Sequence, residues 1–406
     1  MRHPPERPAR RQALRHGVRA CLAAAASIGL ARAAATAAGD PIVVRIGHAA
    51  PARGRLAALG EASERAARMA VDALNAQRHA LAGRPLRFEL VAQDDGADPA
   101  RAVQAAHQLV ARGVLAVVGH LGSTTTLAAA GVYAAAGVPQ IAPAASSPRL
   151  ARSGEAPVYR MVPDDLQVGE RLGRHAASAL GTRRAAVIDD RSAFGRALAA
   201  GFERGVSAES TAGAQVVSHH FTHRDATDFI AVLTAVAAAR PDTVFFGGPD
   251  RLAGPLLRQM RELGITARLI GGDALCNPAL AALADGAIDD GQVLCAEVGG
   301  QDERTSAAAL RFAADFRARH GVEPSAYAAH AYDAVMLVAL ALLQSGSAEP
   351  GRLRAQLAQL QNVQGLTGRI AFDAQGGRIG ATLTLFTYRR DAADASIRRV
   401  PVATLR

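Results

Sequence analysis

The sequence LAVVGHLGSTTTLAAAGVYAAAGVPQIAPAASSP, residues 115–148, predicts a strand, a tight turn, a helix and a second strand. The first apolar run ends at Gly119. An alanine-rich segment then begins at Ser123 and ends near Gly137, and a second apolar run leads into the small residues 144–148. This order is typical of a βαβ unit with parallel strands.

Both predicted strands end in turns built from small residues that carry hydroxyl groups. The carboxyl ends of parallel strands lie at one edge of a sheet, and ligands of open α/β sheets bind at that edge. Ser123 stands at a helix start, where free N–H groups attract anions. The two turns therefore suit a small carboxylate; the alternative is that Ser123 only caps its helix.

The rest of the chain repeats this design. Strands and helices alternate up to about residue 144, MVPDD at 161–165 interrupts the pattern, and a second series of strands follows. Alternation of this kind indicates parallel sheets covered by helices, so we expect two α/β lobes and a β-rich tail. The run VMLVALALL at 335–343 is too short to span a bilayer and predicts a buried helix.

The positive charge of the chain is concentrated at its N-terminus. The 406 residues suffice for two ordinary domains and carry a formal charge of +10, every basic residue other than histidine being arginine. Residues 1–37 hold seven arginines and one glutamate, which leaves +4 on the remainder. That remainder has no basic run interleaved with aromatics, so we predict no nucleic-acid partner.

The N-terminal segment has the organisation of a secretory signal. Residues 1–20 are basic, residues 21–31 are apolar, and small residues up to Ala37 offer a cleavage site. We therefore expect a signal peptide over residues 1–37 and a periplasmic mature protein. The Arg10-Arg11 pair leaves the twin-arginine and general export routes as alternatives.

Two cysteines remain after the expected cleavage, Cys276 and Cys295. In an oxidising compartment they either form a disulfide or stay as two buried thiols. The sequence leaves both alternatives open.

With these motifs in place, the chain resembles the type I periplasmic solute-binding proteins. More narrowly, it is similar to the branched-chain amino-acid (leucine/isoleucine/valine) binding family of ABC importers. The resemblance covers residues 42–390 and rests on eight motifs in order: DDGADPARAVQAAHQLV (94–110), GHLGSTTT (119–126), APAASSP (142–148), IDDRSAFGRAL (188–198), FFGGPDRLAGPLLRQMRELG (245–264), IGGDAL (270–275), YDAV (332–335) and GLTGRIAFDAQG (365–376).

The resemblance implies an α/β fold of two doubly wound parallel-sheet lobes, joined by three hinge crossovers, with a ligand in the cleft between them. It places the crossovers near 161–165, 296–300 and 378–382. It assigns residues 38–162 plus 297–380 to the first lobe, and residues 163–296 plus 381–406 to the second.

The resemblance also implies a set of ligand contacts. Ser123 would bind an α-carboxylate through its hydroxyl and N–H. Ser146 would offer its hydroxyl and N–H to the carboxylate or to the ammonium end. Ala144 would offer its carbonyl oxygen to an ammonium, and Asp273 stands where the family has an acidic residue that pairs with the ammonium. Charge-assisted hydrogen bonds of this kind contribute about 1.5–3 kcal/mol each.

Departures from the family pattern leave the ligand open. Phe194 replaces a frequent tyrosine, and Leu59 stands where an aromatic residue often packs on the ligand. Asp250 lies in a turn that usually carries tyrosine, and we expect it to add a second carboxylate to the cleft. That change would favour a polar or cationic ligand.

The function expected from these residues is capture of a small amino acid for an ABC permease, by a monomer without cofactors. The alternative is a sensory binding protein for a small amide, an aromatic acid or an amino acid. Ser123 has no base placed near it by sequence, which argues against an acyl-transfer enzyme. The HHFTH segment (219–223) has zinc-like spacing, but neighbouring strand residues face opposite sides of a sheet, so no metal is expected.

Overall fold

The computed structural model describes residues 40–152, 157–209, 213–325, 327–393 and 396–406. The expected signal peptide, residues 1–37, lies outside them. The strands are β1 (Ile42–Ala50), β2 (Ala80–Leu81), β3 (Arg84–Asp94), β4 (Ala116–Gly119), β5 (Gln140–Ala142), β6 (Tyr159–Arg160), β7 (Arg184–Asp189), β8 (Gln215–Phe221), β9 (Thr243–Gly247), β10 (Arg268–Gly271), β11 (Val293–Val298), β12 (Val363–Gly365), β13 (Gly368–Ile370), β14 (Leu383–Arg390) and β15 (Ile397–Leu405).

Helices connect and cover these strands. They are α1 (Ala57–Ala76), α2 (Pro99–Ala111), α3 (Ser123–Ala135), α4 (Asp165–Ser178), α5 (Ala193–Ala208), α6 (Ile230–Ala238), α7 (Asp250–Glu262), α8 (Ala279–Leu283), α9 (Gln301–Arg304), α10 (Ala307–His320), α11 (Ala328–Ser345) and α12 (Pro350–Gln359). Short 3₁₀ turns occur at Gly54–Leu56, Pro148–Arg152 and Asp273–Leu275.

The first sheet has the strand order β2-β3-β1-β4-β5-β6. Its strands are parallel except for β2, which forms an antiparallel hairpin with β3. Strand β4 is buried at every position because helices cover both faces of the sheet. Helix α11 supplies much of this core, and its side chains join those of α1 and β1 in one hydrophobic cluster.

Helix α11 is the one described helix that is long and apolar enough to cross a membrane by length and composition. In the structure 61% of it is buried, and it packs against α1 in the core of the first lobe. The prediction of a buried helix around 335–343 is therefore confirmed.

The second sheet has the strand order β15-β14-β11-β10-β9-β7-β8. Strands β7 to β11 are parallel, as predicted, whereas β14 and β15 are antiparallel to their neighbours. The predicted α/β fold with two mostly parallel sheets is therefore confirmed, and the antiparallel pair β14 and β15 comes from the predicted β-rich tail. Strands β14 and β15 are joined by a connection of only a few residues, and so short a connection can join antiparallel strands only.

The chain passes between the two sheets three times, after β6, after β11 and before β14. Hydrogen bonds tie these passages together. The guanidinium of Arg378 donates to the carbonyl of Met161 at 2.9 Å, and the amide of Gly299 donates to the carbonyl of Thr382 at 2.8 Å. Hydrogen bonds therefore hold the three connections side by side between the lobes.

Helices α4 and α5 approach closely because each presents glycines to the other. A Cβ atom on Gly169 would lie 2.1 Å from the carbonyl oxygen of Leu198, and one on Gly201 would lie 2.2 Å from that of Leu166. Gly173 and Gly205 are equally tight. No side chain fits between the backbones at these positions.

Cys276 and Cys295 form a disulfide with a Cα–Cα distance of 5.3 Å. Of the two alternatives that the sequence left open, the structure therefore has the disulfide. The bond connects the segment after β10 to the neighbouring strand β11, and both cysteines are buried in the core of the second lobe.

Candidate functional site

The two small-residue turns of the first lobe meet at Ser123. The Oγ atom of Ser123 accepts hydrogen bonds from the amides of Ser146 and Ser147, at 3.2 and 3.1 Å. Ser123 and Ser146 are half-buried, as is Ala144 two residues earlier. The structure thus brings together the three residues that the sequence proposed at this sheet edge.

Ser123 is not the helix cap that the sequence offered as an alternative. Gly122 occupies the cap position in an extended conformation, and Ser123 is the first residue of α3. The hydroxyl of Ser123 is turned towards the second turn instead of towards its own helix. The Ser146 amide, expected as a ligand donor, is in turn bonded to Ser123 in this structure.

A buried polar network supports the turn that carries Ser123. The Nδ1 atom of His120 lies 2.7 Å from Asp95 Oδ2, and its Nε2 atom lies 3.2 Å from the hydroxyl of Tyr133. Burial and the charge of Asp95 raise the pKa of Tyr133. Thr126 donates its hydroxyl to the carbonyls of His120 and Gly122, so both ends of the turn are held.

The second lobe reaches this turn through the first residue of α4. The amide of Asp165 donates to the carbonyl of Ser146 at 2.9 Å, and the Ser146 hydroxyl hydrogen-bonds to the Asp165 carboxyl. Asp165 is only 4% exposed. Burial raises its pKa well above the ordinary range, and the nearby charge of Asp273 adds to that effect.

A second contact between the lobes joins Tyr327 and Asp273. The hydroxyl of Tyr327, just before α11, donates to Asp273 Oδ2 at 2.5 Å. The other carboxylate oxygen of Asp273 accepts the amide of Ala274 at 3.0 Å. Burial raises the pKa of both Asp273 and Tyr327, and for Tyr327 the neighbouring carboxylate is the next cause.

The carboxylates around this contact differ in how they are neutralised. Glu297 on β11 forms ion pairs with Arg304, at 3.0 Å, and with Arg399. Within the described ranges, neither Asp165 nor Asp273 forms an ion pair. Burial without a paired cation disfavours the charged form of Asp165, and the half-buried Asp273 also has no paired cation.

The remaining predicted residues lie on the second lobe. The ring of Phe194, in the first turn of α5, has its Cζ atom 3.7 Å from where a Cβ on Gly272 would stand, beside Asp273. Asp250 starts α7, and its carboxylate accepts the amide of Arg251 at 2.8 Å. These contacts bring Phe194 next to the Asp273 turn but do not bring Asp250 there.

Sequence reasoning missed Asp165 and Tyr327. The Asp164-Asp165 pair at the first crossover could have indicated a site residue. Asp164 forms the capping box of α4 with Gln167, so the helix start does not require the carboxylate of Asp165. Tyr327 had no such signal. The histidines of the HHFTH segment are elsewhere: His219 contacts Asp189 and Glu203, both at 2.8 Å.

Comparison with known proteins bears on this geometry. The model of the family described as "Periplasmic binding protein" matches residues 43–393. An amino acid binding protein of Pseudomonas aeruginosa is 32% identical over 334 residues, which cover 82% of this chain and 87% of that protein.

Solved structures share the fold. An ABC transporter substrate-binding protein from Desulfitobacterium hafniense, in complex with Leu, superposes with a TM-score of 0.73 at 26% identity, covering 88% of this chain and 100% of that one. A solute-binding protein from R. palustris, in complex with benzoate, has a TM-score of 0.68 at 20% identity, covering 90% of this chain and 97% of that one. At that identity the second likeness bears on fold alone.

These matches confirm the family that the motifs indicated, and with it a binding protein and not an enzyme. The chain belongs to the type I periplasmic binding protein family, among the homologues of the branched-chain amino-acid-binding proteins of ABC transporters.

Proposed function

We propose that the protein captures a free amino acid between its lobes and delivers it to an ABC permease of the inner membrane. The carboxylate would bind at the Ser123 turn. The ammonium would bind at Asp273, with the carbonyl of Ala144 as a second acceptor.

The observation that carries this proposal is the hydrogen bonding of Ser123. A serine hydroxyl has two acceptor positions and one donor. Two backbone amides occupy the acceptor positions of Ser123, so its O–H must donate. A ligand carboxylate at the start of α3 would accept that bond and would also lie near the positive end of the helix.

The acidic side of the cleft supports the other half of the proposal. The charge of Asp273 contributes to the raised pKa of Asp165, and an ammonium between the two carboxylates would relieve that repulsion. The ring of Phe194 next to Gly272 offers an apolar surface to a side chain. An α-amino acid carries all three groups.

Closure of the lobes would supply the transport step. Ser123 and Tyr327 belong to elements of the first lobe, and Asp165 and Asp273 to elements of the second, so a ligand bound to both sets would stabilise the closed arrangement. The expected signal peptide would place this event in the periplasm. A sensory protein would use the same closure to contact a regulator.

Binding to a defined panel tests the proposal. Mature protein from residue 38 is unfolded, refolded without ligand and titrated calorimetrically with L-leucine, L-isoleucine, L-valine, L-arginine and benzoate. At 100 times its dissociation constant, a true ligand should add about 2.7 kcal/mol of stability. We expect at least one amino acid to bind; binding of benzoate alone, or of no compound, would contradict the proposal.

Replacement of Ser123 by alanine should weaken binding of the responding amino acid. The change removes the side-chain donor that Ser123 offers to the carboxylate, and it leaves the amides of Ser146 and Ser147 without their acceptor. We expect roughly a 10- to 100-fold higher dissociation constant and a loss of about 1–3 kcal/mol of stability. The exposed neighbour Thr124 provides the control, since Thr124→Ala should change neither quantity. Unchanged affinity in Ser123→Ala would reduce Ser123 to a structural role.

Ligand binding should release protons in the pH range where the raised pKa values of Asp165 and Asp273 lie. In the empty protein the pKa of Asp273 is raised by burial and by Glu297, and the pKa of Asp165 is raised by burial and by Asp273. An ammonium stabilises the charged carboxylates, so it lowers both pKa values in the complex.

Affinity should therefore fall as the pH decreases through the raised pKa values, and it should be constant above them. Calorimetry in two buffers of different ionisation enthalpy measures the protons released. Proton uptake, or an affinity that rises with acidification, would contradict this assignment of the acidic side of the cleft.

A further inference from the structure

The disulfide lies directly behind the Asp273 turn. Asp273 opens a single 3₁₀ turn whose last hydrogen bond runs from the amide of Cys276 to the carbonyl of Asp273, at 2.9 Å. Cys276 is bonded to Cys295 on β11, and Glu297 follows on the same strand. The disulfide therefore links the turn that carries Asp273 to the strand that carries Glu297.

Side chains of β14 and β15 also hold this turn, through hydrogen bonds to its carbonyl groups. The hydroxyl of Tyr388 donates to the carbonyls of Leu275 and Asn277, at 2.7 and 2.9 Å. Arg399 donates to the carbonyl of Cys276 and also pairs with Glu297. Each can rearrange by a side-chain rotation. Before the turn, Gly271 of β10 pairs with Cys295 of β11, and after the turn the disulfide adds a covalent link to the same residue of β11.

We propose that the Cys276–Cys295 disulfide is a positioning element of the ligand site, which holds Asp273 in register with Tyr327 and with the ligand ammonium. This inference rests on the proposed function. A ligand contact that is fixed before binding costs less entropy on binding, so freeing the Asp273 turn should weaken recognition of the ammonium specifically.

The test compares the oxidised protein with the double variant Cys276→Ala/Cys295→Ala. Both are titrated with L-leucine and with 4-methylpentanoate, which has the same carbon skeleton and carboxylate but no ammonium. We expect the variant to bind L-leucine roughly tenfold more weakly, with a much smaller change for 4-methylpentanoate. General damage to the lobe would weaken both ligands equally and would overturn the inference.

Val293→Ala is the matched control. Val293 is fully buried on the same strand and in the same hydrophobic cluster, so its truncation lowers stability without releasing the turn. Its ratio of L-leucine to 4-methylpentanoate affinity should equal that of the unmodified protein. A ratio that changes as much as in the double variant would show that any destabilisation of the lobe has this effect.

Amide hydrogen exchange gives a second measure that needs no ligand. Amides 274–277 should exchange faster in the double variant than in the oxidised protein, while those of α3 in the other lobe should not change. Unchanged exchange at 274–277 would overturn the inference. Failure of the oxidised protein to bind any amino acid would contradict the proposed function instead, and the exchange comparison would still decide whether the disulfide fixes this turn.

Discussion

Asp273→Asn should weaken binding of an amino acid by roughly 10- to 150-fold, the equivalent of about 1.5–3 kcal/mol for a charge-assisted hydrogen bond. The asparagine has the same shape: its amide oxygen can still accept from Ala274, and its NH2 group can donate to the hydroxyl oxygen of Tyr327. Because the fold keeps these contacts, the loss should appear in the dissociation constant and not in the melting temperature. Calorimetric titration of both proteins with L-leucine measures it.

Titration with 4-methylpentanoate separates the effect of the ligand ammonium from that of the rest of the ligand. For 4-methylpentanoate, which lacks the ammonium, Asp273→Asn should leave the affinity unchanged or improve it. Asp289→Asn controls for the change of net charge, since Asp289 lies in the same lobe with a side chain 75% exposed. Asp250→Asn is measured as well. An equal loss of L-leucine affinity in that variant would place Asp250 in the cleft, as the sequence predicted. Equal losses with both ligands would mean that Asp273 acts through the fold.

Gly201→Ala should destabilise the protein by forcing apart helices α4 and α5. The new Cβ would lie 2.2 Å from the carbonyl oxygen of Leu166, so the two helices must separate. Overpacking of this kind costs about 1–3 kcal/mol, and more where backbone has to move. The gain in helix propensity, about 1 kcal/mol for alanine over glycine, offsets only part of it. Denaturant unfolding measures the difference.

Gly131→Ala is the matched control. Gly131 lies inside α3, and a Cβ there would meet nothing within 4 Å. The same substitution should therefore raise stability by about 0.5–1 kcal/mol. The opposite signs test the packing argument, because propensity alone would make both variants more stable. A Gly201→Ala protein as stable as the parent would show that the helices separate at little cost.

The sequence predicted the local units of the fold well. The stretch 115–148 folds as the predicted βαβ unit, and the motifs around it identified the family. These predictions succeeded because strand and helix periodicity is local, and because the carboxyl ends of parallel strands share an edge. Ser123 and Ser146 meet for that reason alone.

The sequence did not reveal which residues of the two lobes lie close together across the cleft. Asp165 and Ser146 are on opposite lobes, and so are Tyr327 and Asp273. No spacing in a chain encodes how two lobes approach, so neither contact was predicted. The disulfide was undecidable for a related reason, since pairing depends on the Cα separation of adjacent strands.

The three passages between the sheets also govern the order in which the protein can acquire structure during synthesis. Helix Ala328–Ser345 completes the core of the first lobe, and strand Leu383–Arg390 pairs with Val293–Val298 in the second. A ribosome must therefore translate most of the message before either core can close. Domains made of one continuous segment fold in turn as they emerge, but neither lobe of the described chain is such a unit. Both lobes should therefore stay incomplete until strand Leu383–Arg390 has been translated.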